Sequence, residues 1–126
     1  MKVAIIIPNW NGAKKLEKHL PKVLDAAKFS QVSEVIVVDD GSDDNSLEIL
    51  KDNFPQVRII VKDKNSGFSS TVNLGVKSVE NETDLVVLMN NDASPKIDFL
   101  KFVLPHFKDN KVFGVGCNVG GLLKLL

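Results

Sequence analysis

At 126 residues, with 44% hydrophobic and 25% charged residues, the chain has the size and balance of one globular domain with a single core. Its 16 basic and 16 acidic residues cancel, which excludes attraction to nucleic acid or anionic lipid by net charge and leaves recognition to local groups. The lone cysteine, Cys117, excludes an internal disulfide and fits a reducing cytoplasm, and no stretch reaches the ~18 apolar residues of a membrane-spanning helix.

The first apolar run, Val3 to Ile7, ends at Pro8-Asn9-Trp10-Asn11, too soon for a signal-peptide core, and reads as a buried strand. Leu16, Leu20, Val23, Leu24 and Ala27 then repeat at helical period, with Pro21 inside the stretch predicting a kink or two short helices. Val35 to Val38 is a second strand. Ser42 to Asp44 supplies capping oxygens for a helix carrying Leu47, Leu50 and Phe54. A third strand spans Val57 to Val61, and a helix with Phe68, Val72, Val76 and Val79 on one face follows. Leu85 to Met89 is the fourth strand. Ser94-Pro95 then offers a cap and a first-turn proline for a helix bearing Phe99, Phe102, Val103 and Phe107. A weaker fifth strand runs from Val112 to Val115. The closing Leu122-Leu123-Lys124-Leu125-Leu126 is too short for an anchor and reads as the start of a further segment.

Strand and helix alternate throughout, which predicts an α/β, Rossmann-like fold: a mostly parallel sheet with helices on both faces, in one domain over residues 1–126. Ligands of such sheets bind at the carboxyl ends of the strands. Those ends carry Pro8-Asn9-Trp10-Asn11-Gly12, Asp39-Asp40-Gly41-Ser42, Asn65-Ser66-Gly67 and Asn90-Asn91-Asp92. Singly, each is ordinary turn or capping chemistry. Together they gather carboxylates and amides on one edge. Alternation along the second strand sends one of Asp39 and Asp40 toward the cleft, where a carboxylate can accept from a base imide or a ribose hydroxyl. Neither a G-x-G-x-x-G nor a G-x-x-x-x-G-K-[ST] loop is present to grip phosphate. Asp92 offers another route, a hard divalent ion held by one carboxylate, phosphate oxygens and water; its alternative role is to help cap the helix near Pro95.

The ordered set Pro8-Asn9-Trp10-Asn11, Val37 to Asp44, Asn65-Ser66-Gly67-Phe68 with Asn73-Leu74-Gly75, and Leu88 to Asp92 resembles family 2 glycosyltransferases of the GT-A type. It is most similar to their rhamnosyltransferase-like branch, which carries Asn-x-Gly-Phe and replaces Asp-x-Asp with Asn-Asn-Asp or Asn-Pro-Asp. The resemblance covers Val3 to about Gly116. It implies that Pro8, Asn9 and Asn11 line a nucleotide pocket, that Asp40 contacts base or ribose with Asp39 as its structural or ribose-side partner, and that Asn65 to Asn73 closes over the donor, Gly67 allowing close approach. Asp92 matches the last acidic residue of the metal motif and Asn90 the first, so a Mn or Mg ion is implied, weakly bound without nucleotide.

The implied reaction is transfer of a sugar from a nucleotide diphosphate sugar to a glycan or lipid-linked acceptor, with inversion. The implied setting is the cytoplasm, with peripheral contact at the inner membrane face left open, and the oligomeric state is not implied. The family's acceptor site and catalytic base lie in a region beyond Leu126, so the sequence is expected to be the donor half of a longer domain, and a non-catalytic nucleotide-sugar-binding module is the alternative. Asp98 and Asp109 fit a solvated helix face. His19 and His106 lack a second ligand at metal spacing, and Trp10 fits either stacking on a ligand or packing at the pocket mouth. A signalling receiver domain is disfavoured, because its acidic pair follows the first strand and its single aspartate the third, where this chain has Lys62-Asp63-Lys64.

Overall fold

A computed structural model describes residues 1–117 and, as backbone, residues 123–125. The elements in order are β1 (Val3–Asn9), α1 (Ala13–Phe29), β2 (Glu34–Asp39), α2 (Ser46–Asn53), β3 (Arg58–Val61), α3 (Phe68–Ser78), β4 (Leu85–Leu88), α4 (Phe99–Val103), a 3-10 turn (Leu104–Lys108), β5 (Val115–Cys117) and β6 (Leu123–Leu125). The first 4 strands form one parallel sheet in the order β3-β2-β1-β4. Leu122 and Leu126, at the ends of the apolar terminal segment, lie outside the described residues.

The order follows from handedness. From β1 the chain steps to β2 and on to β3 in one direction, then returns across the sheet to β4. With right-handed crossovers the return helix must lie on the opposite face. Accordingly Ile5 and Ile7 of β1 pack with Leu16, Leu20 and Val23 of α1 and with Leu50 of α2, whereas Ile6, Ile36 and Val38 face Leu74 of α3. β1 and β2 are covered on both sides, so their residues are almost uniformly apolar rather than alternating. The reversal of direction falls between β1 and β4, the position at which sheets of this kind bind their ligands.

Several local expectations are corrected. α1 is one continuous helix through Pro21. Pro21 and Glu17, whose carbonyl loses its donor, are both exposed, so the freed acceptor lies on the solvent side of the helix. Phe68 and Val76 lie on the outer side of α3, and the face against the sheet is Thr71, Val72 and Gly75. Gly75 sets this rotation, because a Cβ there would stand 2.6 Å from Ile6 Cγ2, and its absence lets the helix sit low on the sheet. The helix expected at Pro95 begins at Phe99, and Leu100 and Val103 are its buried residues. The fifth strand is Val115–Cys117, and it pairs antiparallel with β6 in a separate ribbon instead of extending the parallel sheet.

Candidate functional site

The parallel ladder continues one step past the strands: Asp40 N–H donates to Asn9 O (2.8 Å) and Lys62 N–H to Asp39 O (2.9 Å). This fixes Asn9, Asp39, Asp40 and Lys62 side by side at the carboxyl edge. From Asn9 a chain of side-chain bonds crosses the sheet. Its Nδ2 donates to Asp39 Oδ1 (3.0 Å), and its Oδ1 accepts from Asn91 Nδ2 (2.9 Å) after β4. Asp39 in turn accepts from Ser42 Oγ (2.7 Å) and Ser42 N–H (2.9 Å). Asn9 and Asp39 are buried, and every bond joins groups that would otherwise be costly to desolvate. The loops after β1, β2 and β4 are thereby tied together. Gly12 is required for this, since a Cβ would lie 2.3 Å from Asn91 Nδ2 and 2.4 Å from Asn9 Oδ1.

Asp40 turns the other way, as alternation requires. Its Oδ1 accepts from Ser66 N–H (2.9 Å) and pairs with Lys62 Nζ (2.9 Å), while Oδ2 accepts from Gly67 N–H (3.0 Å). Burial works to raise the Asp40 pKa, but the Ser66 N–H, the Lys62 ammonium and the Gly67 N–H outweigh it and hold the carboxyl below its ordinary 3.8. Asp40 is therefore ionised at neutral pH. Gly41 sits beneath this turn at φ +71, and a Cβ there would come within 2.6 Å of the Lys64 and Asn65 backbone.

These segments enclose a cavity of about 520 Å³. β1 contributes Pro8, Asn9 and Trp10, and β2 contributes Asp40. The turn after β3 adds Asn65, Gly67, Phe68 and Thr71, and β4 is followed by Asn90, Asn91 and Asp92. Asp40 and Asp92 thus border one space at the sheet's topological reversal. Among the described residues Asp92 is exposed and its carboxylate makes neither a hydrogen bond nor an ion pair, and no group of 3 or more His, Cys, Asp or Glu is placed to hold a metal by itself. A single free carboxylate beside the Asn90 amide suits a hard cation only if ligand oxygens complete its shell.

Three residues expected at a nucleotide pocket, Asn11, Asp39 and Asn73, are not among those lining this cavity. Asn11, at φ 48, uses its Oδ1 to accept from Asp43 N–H (2.9 Å) and Asp44 N–H (3.3 Å), bracing the β2 loop and bordering a separate depression beside Lys14 and Lys15. Asp39 has its carboxylate committed to Asn9 and Ser42 and does not line the cavity, so within the described geometry it is a tie between loops. Asn73 is exposed on α3, away from the cavity lining. Capping is also redistributed: Asp44 accepts from Ala13 N–H of α1 (3.1 Å) and Ser46 N–H of α2 (2.9 Å), and Ser94 Oγ bonds His19 Nδ1 (2.6 Å) instead of opening a helix.

Asn65, Phe68, Thr71 and Asn91 fall inside the segments that the sequence places at the site, whereas Lys62 lies outside all of them. The role of Lys62 follows from the β2–β3 register, which pairs Asp39 with Val61 and so sets Asp40 beside Lys62 just past the two strand ends.

The family model for glycosyl transferase family 2 matches residues 4–121. The chain belongs to this family. Over 120 residues it is 28% identical to glycosyltransferase AglE of Haloferax volcanii, which covers 93% of this chain and 39% of that protein. Over 96 residues it is 33% identical to the undecaprenyl-phosphate 4-deoxy-4-formamido-L-arabinose transferase of Yersinia pestis, covering 72% of this chain and 29% of that one. The chain therefore spans well under half the length of these curated relatives. Among solved structures, mannosyltransferase PcManGT of Pyrobaculum calidifontis, in complex with GDP-Man and Mn2+, superposes with a TM-score of 0.77 at 22% identity, over 94% of this chain and 35% of that one. S. aureus TarS 1-349 in complex with UDP-GlcNAc gives 0.70 at 25% identity, over 88% and 32%. The open parallel sheet flanked by helices is the GT-A, Rossmann-like fold of these neighbours. Among the described residues no helix is long and apolar enough to cross a membrane.

Proposed function

We propose that this chain is the donor-binding part of a family 2 sugar transferase and that a nucleotide diphosphate sugar occupies the cavity between the loops after β1 and β4. One observation carries the reading: Asp40, Asp92 and the amides of Asn9, Asn65, Asn90 and Asn91 border a single cavity of about 520 Å³ at the reversal point of a parallel sheet. Pro8, Asn9 and Trp10 would form the wall toward the base, with the 65–67 turn over the ribose and sugar.

The diphosphate falls to the Asp92 side. Asp92, with Asn90 beside it, would hold a divalent ion, Mn2+ or Mg2+, together with phosphate oxygens. Such an ion acts as a Lewis acid that stabilises charge on the departing nucleotide diphosphate. The single exposed carboxylate fits an ion that arrives with the nucleotide rather than before it. Asp40 is a poorer ligand for that ion, because its charge is already matched by Lys62 and two backbone amides.

The Asn65-Ser66-Gly67-Phe68 and Asn90-Asn91-Asp92 segments favour the rhamnosyltransferase-like branch. Transfer would proceed with inversion to a glycan or lipid-linked acceptor. A polyprenyl phosphate acceptor has support from the 33%-identical Yersinia relative named for one. Titration calorimetry with UDP, GDP and dTDP, each with and without Mn2+, tests the reading: one nucleotide should bind, and more tightly with Mn2+. Absence of binding to all three would overturn it.

A further inference from the structure

We infer that Lys62 is a positioning residue of the donor pocket: it pins Asp40 to the 65–67 turn and to the first turn of α3, and so shapes the nucleotide wall of the cavity. The inference rests on the donor-site reading above for its functional consequence, but not for its structural content. Lys62 follows β3 directly, and its Nζ lies 2.9 Å from Asp40 Oδ1, 2.6 Å from Ser70 Oγ and 3.1 Å from Thr71 Oγ1. The two charged side chains are only 12% and 6% exposed. They form a nearly dry pair bridging the ends of β2 and β3 and the start of α3.

The turn they hold is fixed by hydrogen bonds, most of them to groups that Lys62 also contacts. Gly67 has φ +99, and a Cβ built on it would meet nothing within 4 Å, so side-chain packing does not define its position. Its fixed points are the N–H groups of Ser66 and Gly67 on Asp40, the Gly67 carbonyl, which accepts from Thr71 Oγ1 (2.7 Å) and Thr71 N–H (3.2 Å), and a Ser66 Oγ–Ser70 Oγ bond (3.1 Å). Asp40 and Thr71 are both partners of Lys62. Removing the ammonium leaves a buried carboxylate without its counter-charge. Such a group rotates toward water or releases its remaining donors, because an unpaired charge is not tolerated in a dry site. The open space beside Asp40 is the cavity in which the nucleotide would sit. Pairing also means that the cavity offers one uncompensated carboxylate, Asp92, to a cation, and that a diphosphate meets one negative charge instead of two.

The test compares Lys62→Met, Asp40→Asn and the double variant with wild type by amide exchange and by titration with UDP, or with GDP or dTDP where wild type binds that nucleotide instead, with and without Mn2+. Trp10, the only tryptophan and a cavity residue, supplies the fluorescence signal. Lys62→Met should lose at least tenfold of the exchange protection at Ser66 and Gly67 while Ile6 and Ile36 in the central ladder keep theirs. It should weaken nucleotide binding by at least tenfold to the same degree with and without Mn2+. In the Asp40→Asn background the same substitution should change little. Wild-type protection at both amides, a loss spread evenly over the central ladder, or full additivity in the double variant would each overturn the inference. Should wild type bind no nucleotide, the donor-site reading fails alone, and the exchange data still decide whether Lys62 holds the turn.

Discussion

Replacing Gly12 with alanine probes the junction on which both fold and site depend. The backbone at Gly12, φ −108 and ψ 31, is open to any residue, so the substitution carries no left-handed strain and isolates the contact itself. The new methyl would fall 2.3 Å from Asn91 Nδ2 and 2.4 Å from Asn9 Oδ1, far inside van der Waals contact. Either the two amides part or the first turn of α1 moves. Overpacking of this kind costs about 1–3 kcal/mol. Breaking the 2.9 Å bond between Asn91 and Asn9 strands an acceptor on a residue only 2% exposed, adding about 1–3 kcal/mol. The lower entropy of the unfolded alanine chain offsets up to about 1 kcal/mol. A net loss of about 1–6 kcal/mol follows, and its middle, about 3 kcal/mol, lowers Tm by roughly 10 °C for a domain of this size. Urea unfolding measures the loss, and UDP titration under native conditions should show weaker binding, because the loops after β1 and β4 separate. In an Asn91→Ala background one of the two clashing groups is gone, and Gly12→Ala should cost at least about 1 kcal/mol less. A loss below about 0.5 kcal/mol, or strict additivity with Asn91→Ala, would refute the reasoning.

Gly41→Ala should destabilise by about 2 kcal/mol or more in urea unfolding, since it combines φ +71 with a Cβ 2.6 Å from the backbone of Lys64 and Asn65, which cannot rotate aside. Asp92→Ala, by contrast, should leave stability within about 0.5 kcal/mol, as befits an exposed residue, while removing the Mn2+-dependent part of UDP affinity; a retained Mn2+ effect would displace the cation from Asp92. Acid should weaken the fold through Asp40 and Asp44. Burial tends to raise both pKa values, but Ser66, Lys62 and Gly67 at Asp40, and Ser46 and Ala13 at Asp44, hold them below the ordinary 3.8. A depressed folded value means that the stabilisation is fully present above the unfolded carboxylate range and disappears as pH falls through the folded values. Urea midpoints should therefore drop on acidification below about pH 4, and the drop should be shallower in Asp40→Asn; an unchanged slope would show that Asp40 is not the group responsible.

The sequence alone determined the parts that depend on local chemistry. Runs such as Ile5-Ile6-Ile7 and Val35 to Val38 can be buried on both faces only in a covered parallel sheet, and their alternation with helical stripes dictated the α/β class and placed the polar loops at one edge. The four motifs in order also carried the family. What the sequence left undetermined depends on partners distant along the chain. Asp39 and Asp40 are adjacent carboxylates, and their different fates, one tied to Asn9 and Ser42 and the other to Lys62 and the 66–67 amides, follow from which strand lies on which side. The same holds for Lys62, whose role exists only because β3 pairs with β2, and for the rotation of α3, which Gly75 fixes by its close approach to Ile6. Periodicity reports that a helix has an apolar stripe, but the depth and angle at which it meets the sheet are set by steric fit between residues far apart in sequence, and only the tertiary structure decides that.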